Sequence, residues 1–348
     1  MKNRSEDFPF VSVILTNLNG KGWLVKGVPS ILASDYPAYE VIVVDNGSTD
    51  GSVEYLQANY PSVKVIPLPR NIGWSPANNQ GIRVARGSVI VCISNDMTVD
   101  PDWLKEIVTL IISDSKIGIV QCNSLSMWDR STPDSSMNYL DEFGYSYGYR
   151  PQASPREVFF AEGMAFAFKK ELVHKIGMLD DYYFMEYDDM DFSWRARLAG
   201  YSVYFLPSAV VYHARGATVG RTYFDRTRNV TLYTRNHLVT LIKNYEAKSL
   251  MKALPLTILI EAAKILYLLL TGNTTLAIAA SEGLIAIVKD RRLLLAKRRE
   301  TQRIRKIPDS SVMRLMNRFD PRVQLLFLRR QANARRLILN CDPRIRGR

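Results

Sequence analysis

The chain predicts an α/β fold built on a mostly parallel sheet, and three observations predict it. Apolar, β-branched runs at residues 11–15, 41–44, 63–66 and 89–93 alternate with helical stretches at 23–32, 52–59 and 76–86. The runs are apolar throughout instead of alternating, as strands covered on both faces are. Two of them end in small polar residues, Asp45-Asn46-Gly47-Ser48 and Ser94-Asn95-Asp96. Open α/β sheets bind ligands beyond the carboxyl ends of such strands. Strands alternating with helices make βαβ units, which fold into parallel sheets.

Each element follows in order. Residues 11–15 lead into the loop Thr16-Asn17-Leu18-Asn19-Gly20, and 41–44 into the glycine turn around Gly47 and Gly51. After the strand at 89–93, Asp100-Pro101-Asp102 reads as a helix start, a capping carboxylate followed by Pro in the first turn. An Asp at the strand end, such as Asp96, is then a candidate metal or phosphate residue; a turn Asp that only caps the connection has the same sequence. A helix at 103–112 and a strand at 117–121 follow. Residues 123–157 break into Ser, Pro, Gly and Tyr, and a loop this long is usually functional or disordered. Its tyrosines, Tyr139, Tyr145, Tyr147 and Tyr149, favour an acceptor-facing flap. Apolar β-like content resumes at 159–168 around Glu162-Gly163.

Asp188, Asp189 and Asp191 open a helix that Gly200 stops. The helix dipole explains one or two acids there; three after an aromatic run exceed what capping needs. Strands at 201–205 and 209–212 end in His213.

Composition bounds the rest. A chain of 348 residues holds one large domain and an appendage. The formal charge of +12 is uneven, with +14 on residues 289–348 and −2 on the remainder. The basic tail can meet nucleic acid or an anionic membrane. It has few aromatics for base stacking beyond Phe319 and Phe327, so no nucleic acid is expected. Cys92, Cys122 and Cys341 form no pair pattern and indicate buried thiols in a reducing compartment. The first ten residues are too polar for a signal peptide, so a cytoplasmic location is expected.

Five segments in order carry a resemblance. They are Asn17-Leu18-Asn19-Gly20, V-I-V-V-D-N-G-S-T-D-G-S at 41–52, N-I-G-W-S-P-A-N-N-Q-G at 71–81, S-N-D at 94–96, and D-D-M-D-F-S-W-R at 188–195 with His213. Over residues 9–245 the chain resembles the family-2 glycosyltransferases with the GT-A fold, most of all their rhamnosyltransferase-type branch. The resemblance implies an inverting transfer from a UDP- or dTDP-type nucleotide-sugar to a hydroxyl of a glycan or polyprenyl-linked acceptor. It implies donor contacts from Thr16, Asn17, Asn19, Asp45, Gly47, Asn71, Gly73, Asn78 and Asn95. Asp45 would accept from the imide N–H of a uracil or thymine ring. Asp96 and His213 would hold Mg2+ or Mn2+, since hard cations take oxygen ligands. Ser94 stands where the family's D-x-D motif has its first Asp, so weaker metal binding is expected. Asp189 is the implied base, with Asp188 second and Asp191 orienting Arg195; Glu162 and Arg235 would face the acceptor.

Residues 246–348 read as a helical, basic, membrane-surface region. The apolar stretch at 254–270 contains Glu261 and Lys264, which can pair at i,i+3 and weigh against a plain transmembrane span. A second stretch at 276–288 is interrupted by Ser281-Glu282-Gly283, and 291–306 is a basic amphipathic run. The expected location is the inner face of the cell membrane. Two other classes share parts of this pattern. A sugar-nucleotide pyrophosphorylase would need a cation-rich first loop, where only Lys21 is charged. A non-catalytic partner of the same fold is the other, and Ser94 points to it.

Overall fold

The computed structural model describes residues 8–134, 139–147, 153–214 and 226–322. Its strands are β1 (Val11–Asn17), β2 (Tyr39–Asp45), β3 (Lys64–Pro67), β4 (Val89–Ser94), β5 (Met97–Val99), β6 (Ile117–Ser126), β7 (Tyr139–Leu140), β8 (Ser146–Tyr147), β9 (Arg156–Glu157), β10 (Ala165–Lys169) and β11 (Ser202–His213). The main sheet has the order β3-β2-β1-β4-β10-β6-β11-β5, with β9 also on β11. The first four are parallel, and β10 runs antiparallel to both β4 and β6. The sheet is therefore mixed beyond β4.

Alternate residues of the central strands build two cores. Val11, Val13 and Leu15 face α1 (Lys21–Leu32) and α4 (Trp103–Ser113). Ile14, Ile42 and Cys92 face α3 (Trp74–Val84), α5 (Lys170–Ile176) and α6 (Asp188–Leu198). The remaining N-terminal helix, α2 (Ser52–Asn59), adds Leu56 to the first core. The thiols of Cys92 and Cys122 are buried, and burial pushes Cys122 up to about 12, which makes both inert. Cys341 lies outside the described residues.

Several local expectations are corrected. The helix after β4 begins at Trp103, as expected, but its N-cap is Asp102 and makes no side-chain capping hydrogen bond, and residues 97–99 form an unexpected strand, β5, paired with the end of β11. The expected strands at 201–205 and 209–212 are one strand, β11, whose register on β6 shifts between Leu206 and Val210. Pro207 has no N–H for the ladder, which accounts for the irregularity. The flap reading fails for Tyr139 and Tyr145, which are buried; the Tyr145 hydroxyl donates to Glu261 at 2.8 Å. The Tyr147 side chain and Tyr149 fall outside the described residues.

The C-terminal helices are α7 (Arg226–Asn244), α8 (Ala247–Leu270), α9 (Thr274–Lys289), α10 (Arg291–Arg303) and the short α11 (Asp309–Val312). Glu261 and Lys264 do pair, at 2.9 Å, on the inner side of α8. Among the described residues α8 is the one helix long and apolar enough to cross a membrane, by length and composition only. Ser281-Glu282-Gly283 does not interrupt α9. A Cβ on Gly283 would lie 2.8 Å from the Thr231 carbonyl, so glycine is what lets α9 close on α7.

Part of the basic charge is spent internally. Lys243 on α7, buried, bridges Asp180 at 2.6 Å and Asp191 at 2.8 Å, and Lys297 on α10 reaches Asp180 at 2.6 Å. Asp191 also receives Arg195 at 2.8 Å, as the sequence reading expected. Burial opposes the Asp191 charge, but Lys243 and Arg195 outweigh it and hold the carboxyl below its ordinary value. Removing the cation takes away the charge that joins the buried Asp191 to Asp180 and leaves each with a single cation, Arg195 and Lys297. Lys243→Ala is therefore expected to cost about 3–5 kcal/mol, read by chemical denaturation; a loss under about 1 kcal/mol would show the node to be well solvated.

Candidate active site

The cleft lies at the carboxyl ends of β1, β2 and β4, where the parallel register sets Asn17 beside Asp45 and Thr16 beside Ser94. It encloses about 560 Å3 and is lined by Thr16, Asn71, Gly73, Ser94, Asn95 and Asp96 on the sheet side. Glu162, Gly163 and the stretch from Phe184 to Met190 form the facing wall. The sequence thus converges loops that are more than a hundred residues apart.

Behind the sheet-side wall is a tight polar frame. Asn17 donates to Asp45 at 2.8 Å and accepts from Asn95 at 2.7 Å. The other Asp45 oxygen accepts from the Ser48 amide at 2.8 Å. Asn19, with φ of 48°, accepts from the Thr49 amide. Asn17, Asn19, Asp45 and Gly47 are not among the lining residues; they shape the loops at its edge. Asn46, which the sequence reading passed over, does line it, and it donates to Asn71 and to the Gly73 carbonyl. Thr16 Oγ1 is buried and has no partner among the described residues, which leaves it available to a ligand.

Two expected contacts fall elsewhere. Asn78 is fully buried on α3 and donates back to the Trp74 carbonyl at 2.9 Å, so it faces the core. Arg235 spends its guanidinium on the Tyr182 and Tyr183 carbonyls, at 2.8 and 3.1 Å, and stacks on the Tyr182 ring. It braces the acid-bearing loop from behind. Its neighbour Asn236 does the same, donating to the carbonyls of Tyr183, Met185 and Glu186.

Asp96 and His213 come together because β5 pairs with the end of β11, Met97 opposite His213. His213 Nε2 lies 3.3 Å from Asp96, and its Nδ1 lies 2.7 Å from Asp134. Burial works against a charge on His213, and the two carboxylates outweigh it and hold the imidazole up at about 9. Asp134 sits in the long loop after β6, where no local pattern marked it. Among the described residues no three or more His, Cys, Asp or Glu side chains gather as a metal cluster. The pair would fit a divalent cation once His213 gives up its proton: it would then offer one hard oxygen and one imidazole nitrogen, while the Asp134 carboxylate fixes the ring's other face.

The opposite wall carries the acids. Asp189 accepts from the Gly163 amide at 2.7 Å and from the Met190 amide at 2.7 Å. Burial raises it to about 6 against those two amides. Asp188 accepts from Ser75 at 2.8 Å. Burial first, then the Asp189 charge, push Asp188 well above the ordinary carboxyl range. The two environments separate the pair, with Asp188 pushed further above the ordinary carboxyl range than Asp189. Burial and Asp189 also lift Glu186 to about 7. Glu162 accepts from Gln121 at 2.9 Å beside this wall.

Residues 12–177 match the family model described as glycosyl transferase family 2. Over this segment, just under half of the chain, the protein is similar to that family. Over 233 residues the chain is 24% identical to the poly-beta-1,6-N-acetyl-D-glucosamine synthase of Staphylococcus epidermidis, covering 66% of this chain and 55% of that one. It spans between 25% and 55% of the length of the curated relatives it first matches. Among solved structures it is similar to Staphylococcus aureus TarS 1-349 in complex with UDP-GlcNAc, with a TM-score of 0.55, 17% identity and coverage of 89% and 94%. It is also similar to the mannosyltransferase PcManGT from Pyrobaculum calidifontis in complex with GDP-Man and Mn2+, with a TM-score of 0.52, 20% identity and coverage of 86% of each chain. These likenesses show the GT-A fold.

Gly73 couples the two walls of this cleft. Its φ is 101°, and a Cβ there would lie 2.5 Å from the Phe184 carbonyl, which also accepts from the Trp74 amide. Gly73→Ala is expected to destabilise the protein by about 1–3 kcal/mol. Thermal unfolding measures it, and an unchanged midpoint would refute the tight coupling.

Proposed function

We propose that the chain is an inverting glycosyltransferase that moves a sugar from a UDP- or dTDP-type nucleotide-sugar to a hydroxyl of a glycan or lipid-linked acceptor. The observation that carries this reading is a single cavity with Asp189 on one wall and the Asp96–His213 pair on the other. The rhamnosyltransferase-type branch remains our reading of the donor class, and it rests on the motif order. Residues 9–245 would form the transferase unit.

The donor would lie along Thr16, Asn71, Gly73 and Asn95, above the frame that Asn17, Asn19, Asp45 and Gly47 hold. Asp96 and His213 would hold Mg2+ or Mn2+, and Asp134 would orient His213. Bound there, the cation would neutralise charge on the departing nucleoside diphosphate. The Mn2+ in the mannosyltransferase complex supports this choice. Asp189, ionised, takes the proton of the acceptor hydroxyl as its oxygen bonds to the anomeric carbon. The carbon–oxygen bond to the diphosphate breaks, and its electron pair leaves with the diphosphate. Glu162 stands beside the acceptor path.

The outer faces of α8, α9 and α10 expose Leu259, Leu266, Leu270, Ile285, Val288, Leu293 and Leu295. Together with Arg291, Arg292 and Arg299 they support attachment to an anionic membrane surface, at the cytoplasmic face.

Two outcomes test the reading. Asp189→Asn should leave nucleotide binding nearly intact and lower transfer by at least about 10²-fold. In the wild type, transfer should fall as pH drops through about 6, because protonation removes the base; a pH-independent rate between 5 and 8 would take Asp189 out of the role. In a thermal-shift screen of nucleoside diphosphates, UDP or dTDP should stabilise the protein, and more so with Mn2+. If no nucleotide moves the melting point under either condition, the enzyme reading fails.

A further inference from the structure

The loop from Asp180 to Tyr187, which sets the start of α6, is held from two sides. Arg235 and Asn236 on α7 take its backbone carbonyls. Several of its side chains meet α10. The Tyr182 hydroxyl donates to Asp290, the N-cap residue of α10, at 2.5 Å, and Lys297 reaches Asp180 at 2.6 Å. Between these two contacts Leu294, buried, closes an apolar cluster with Tyr183 and Tyr187, against which Met190 packs. Positions 290, 294 and 297 fall on one face of a helix. The Met190 amide is one of the two from which Asp189 accepts, so this face of α10 ends one contact away from the acid wall.

The opposite face of α10 is built differently. Arg292, Leu295, Arg299 and Arg303 are exposed and lie across the helix from Leu294. Glu300 is the one acid within α10. Cations around an exposed leucine on one helix face suit an anionic lipid surface. A single helix thus stands between the outside and the loop that positions Asp188 and Asp189. That loop holds Phe184, Glu186 and Tyr187 in the left-handed region, a conformation that persists only where surroundings fix it. A grip lost at Asp180 or Tyr182 is therefore felt along the loop, up to the acids that follow it.

We propose that α10 couples an anionic lipid surface to the acid wall. Its outer face docks on the surface while its inner face holds the loop, with Asp290, Leu294 and Lys297 as positioning residues for Asp188 and Asp189. The proposal rests on the membrane-bound transferase reading given above and adds what the surface does to the site. A surface shifts the loop only if it favours the gripping state over a released one. It does so here because Arg292, Leu295, Arg299 and Arg303 share a face only while α10 is helical and seated. A frayed or lifted α10 would scatter those cations and free Asp180 and Tyr182 together.

The test follows hydrogen–deuterium exchange of the full chain by mass spectrometry. The chain is measured alone, with phosphatidylcholine vesicles, and with vesicles of equimolar phosphatidylglycerol and phosphatidylcholine. Anionic vesicles should slow exchange at the amides of residues 181–190 at least about fivefold, and neutral vesicles should leave it unchanged. Tyr182→Phe keeps the ring on which Arg235 stacks and loses the bond to Asp290; Lys297→Met loses the bridge to Asp180. Each variant should still sediment with anionic vesicles while the slowing falls below about twofold, and Lys297→Arg should keep it. Where one variant does not fold, the other decides. Full slowing in a folded variant overturns the proposal, and so does equal slowing by neutral vesicles. A bound wild type whose loop exchanges as it does when free overturns the coupling alone. A wild type that sediments with neither vesicle overturns it by removing the membrane reading. The nucleotide-induced thermal shift is measured without vesicles, so its absence would sink the reading of the cleft and stays distinct from these failures.

Discussion

Between Asp181 and α6 the backbone enters the left-handed region at Phe184, Glu186 and Tyr187, none of them glycine. Such residues cost on the order of 1–3 kcal/mol each and persist only where surroundings hold them. Here Asn236 donates three hydrogen bonds to the stretch, Arg235 adds two more, and the start of α3 grips the Phe184 carbonyl. The turn points the first residues of α6 into the cleft. Asp188 and Asp189 owe their positions, and through them their separated proton affinities, to that clamp.

The clamp also shows what could be read from the residues and what could not. Buried strands and flanking helices leave local periodic signatures, so the sheet's first half and α6 were legible. Strand β5 is three residues long and exists only because β11 arrives beside it, so nothing local marked it. The loop after β6 hid Asp134, whose meaning comes from a histidine 79 residues away. Arg235 was expected to face the acceptor only through the resemblance; the carbonyls that occupy it belong to a loop 52 or 53 residues earlier. Asp189 was legible as an acid too many for a helix cap. Its separation from Asp188 was not, since it depends on Ser75, on the Gly163 amide and on burial.

Charge counts mislead in a related way. Residues 289–348 carry +14, yet Lys297 is bound to Asp180, Arg298 donates to the Ile242 and Tyr245 carbonyls, and Arg305 pairs with Asp309. These cations fasten α10 and the segment after it to the sheet domain. The field that an anionic surface would meet comes from the remaining ones, and from the tilt that this fastening imposes on the exposed leucines.

The same fastening separates two boundaries that are easily taken as one. The segment that matches the family model ends at residue 177. Asp180 draws one cation from α7 and another from α10, and Asp191 shares the first. These ion pairs therefore tie the fold together at least as far as Lys297, well past the segment that the family model matches. A piece ending at residue 177 would keep the loops around Asp45 and Asn71 and lose the acids at 188–191 together with the cations that balance them.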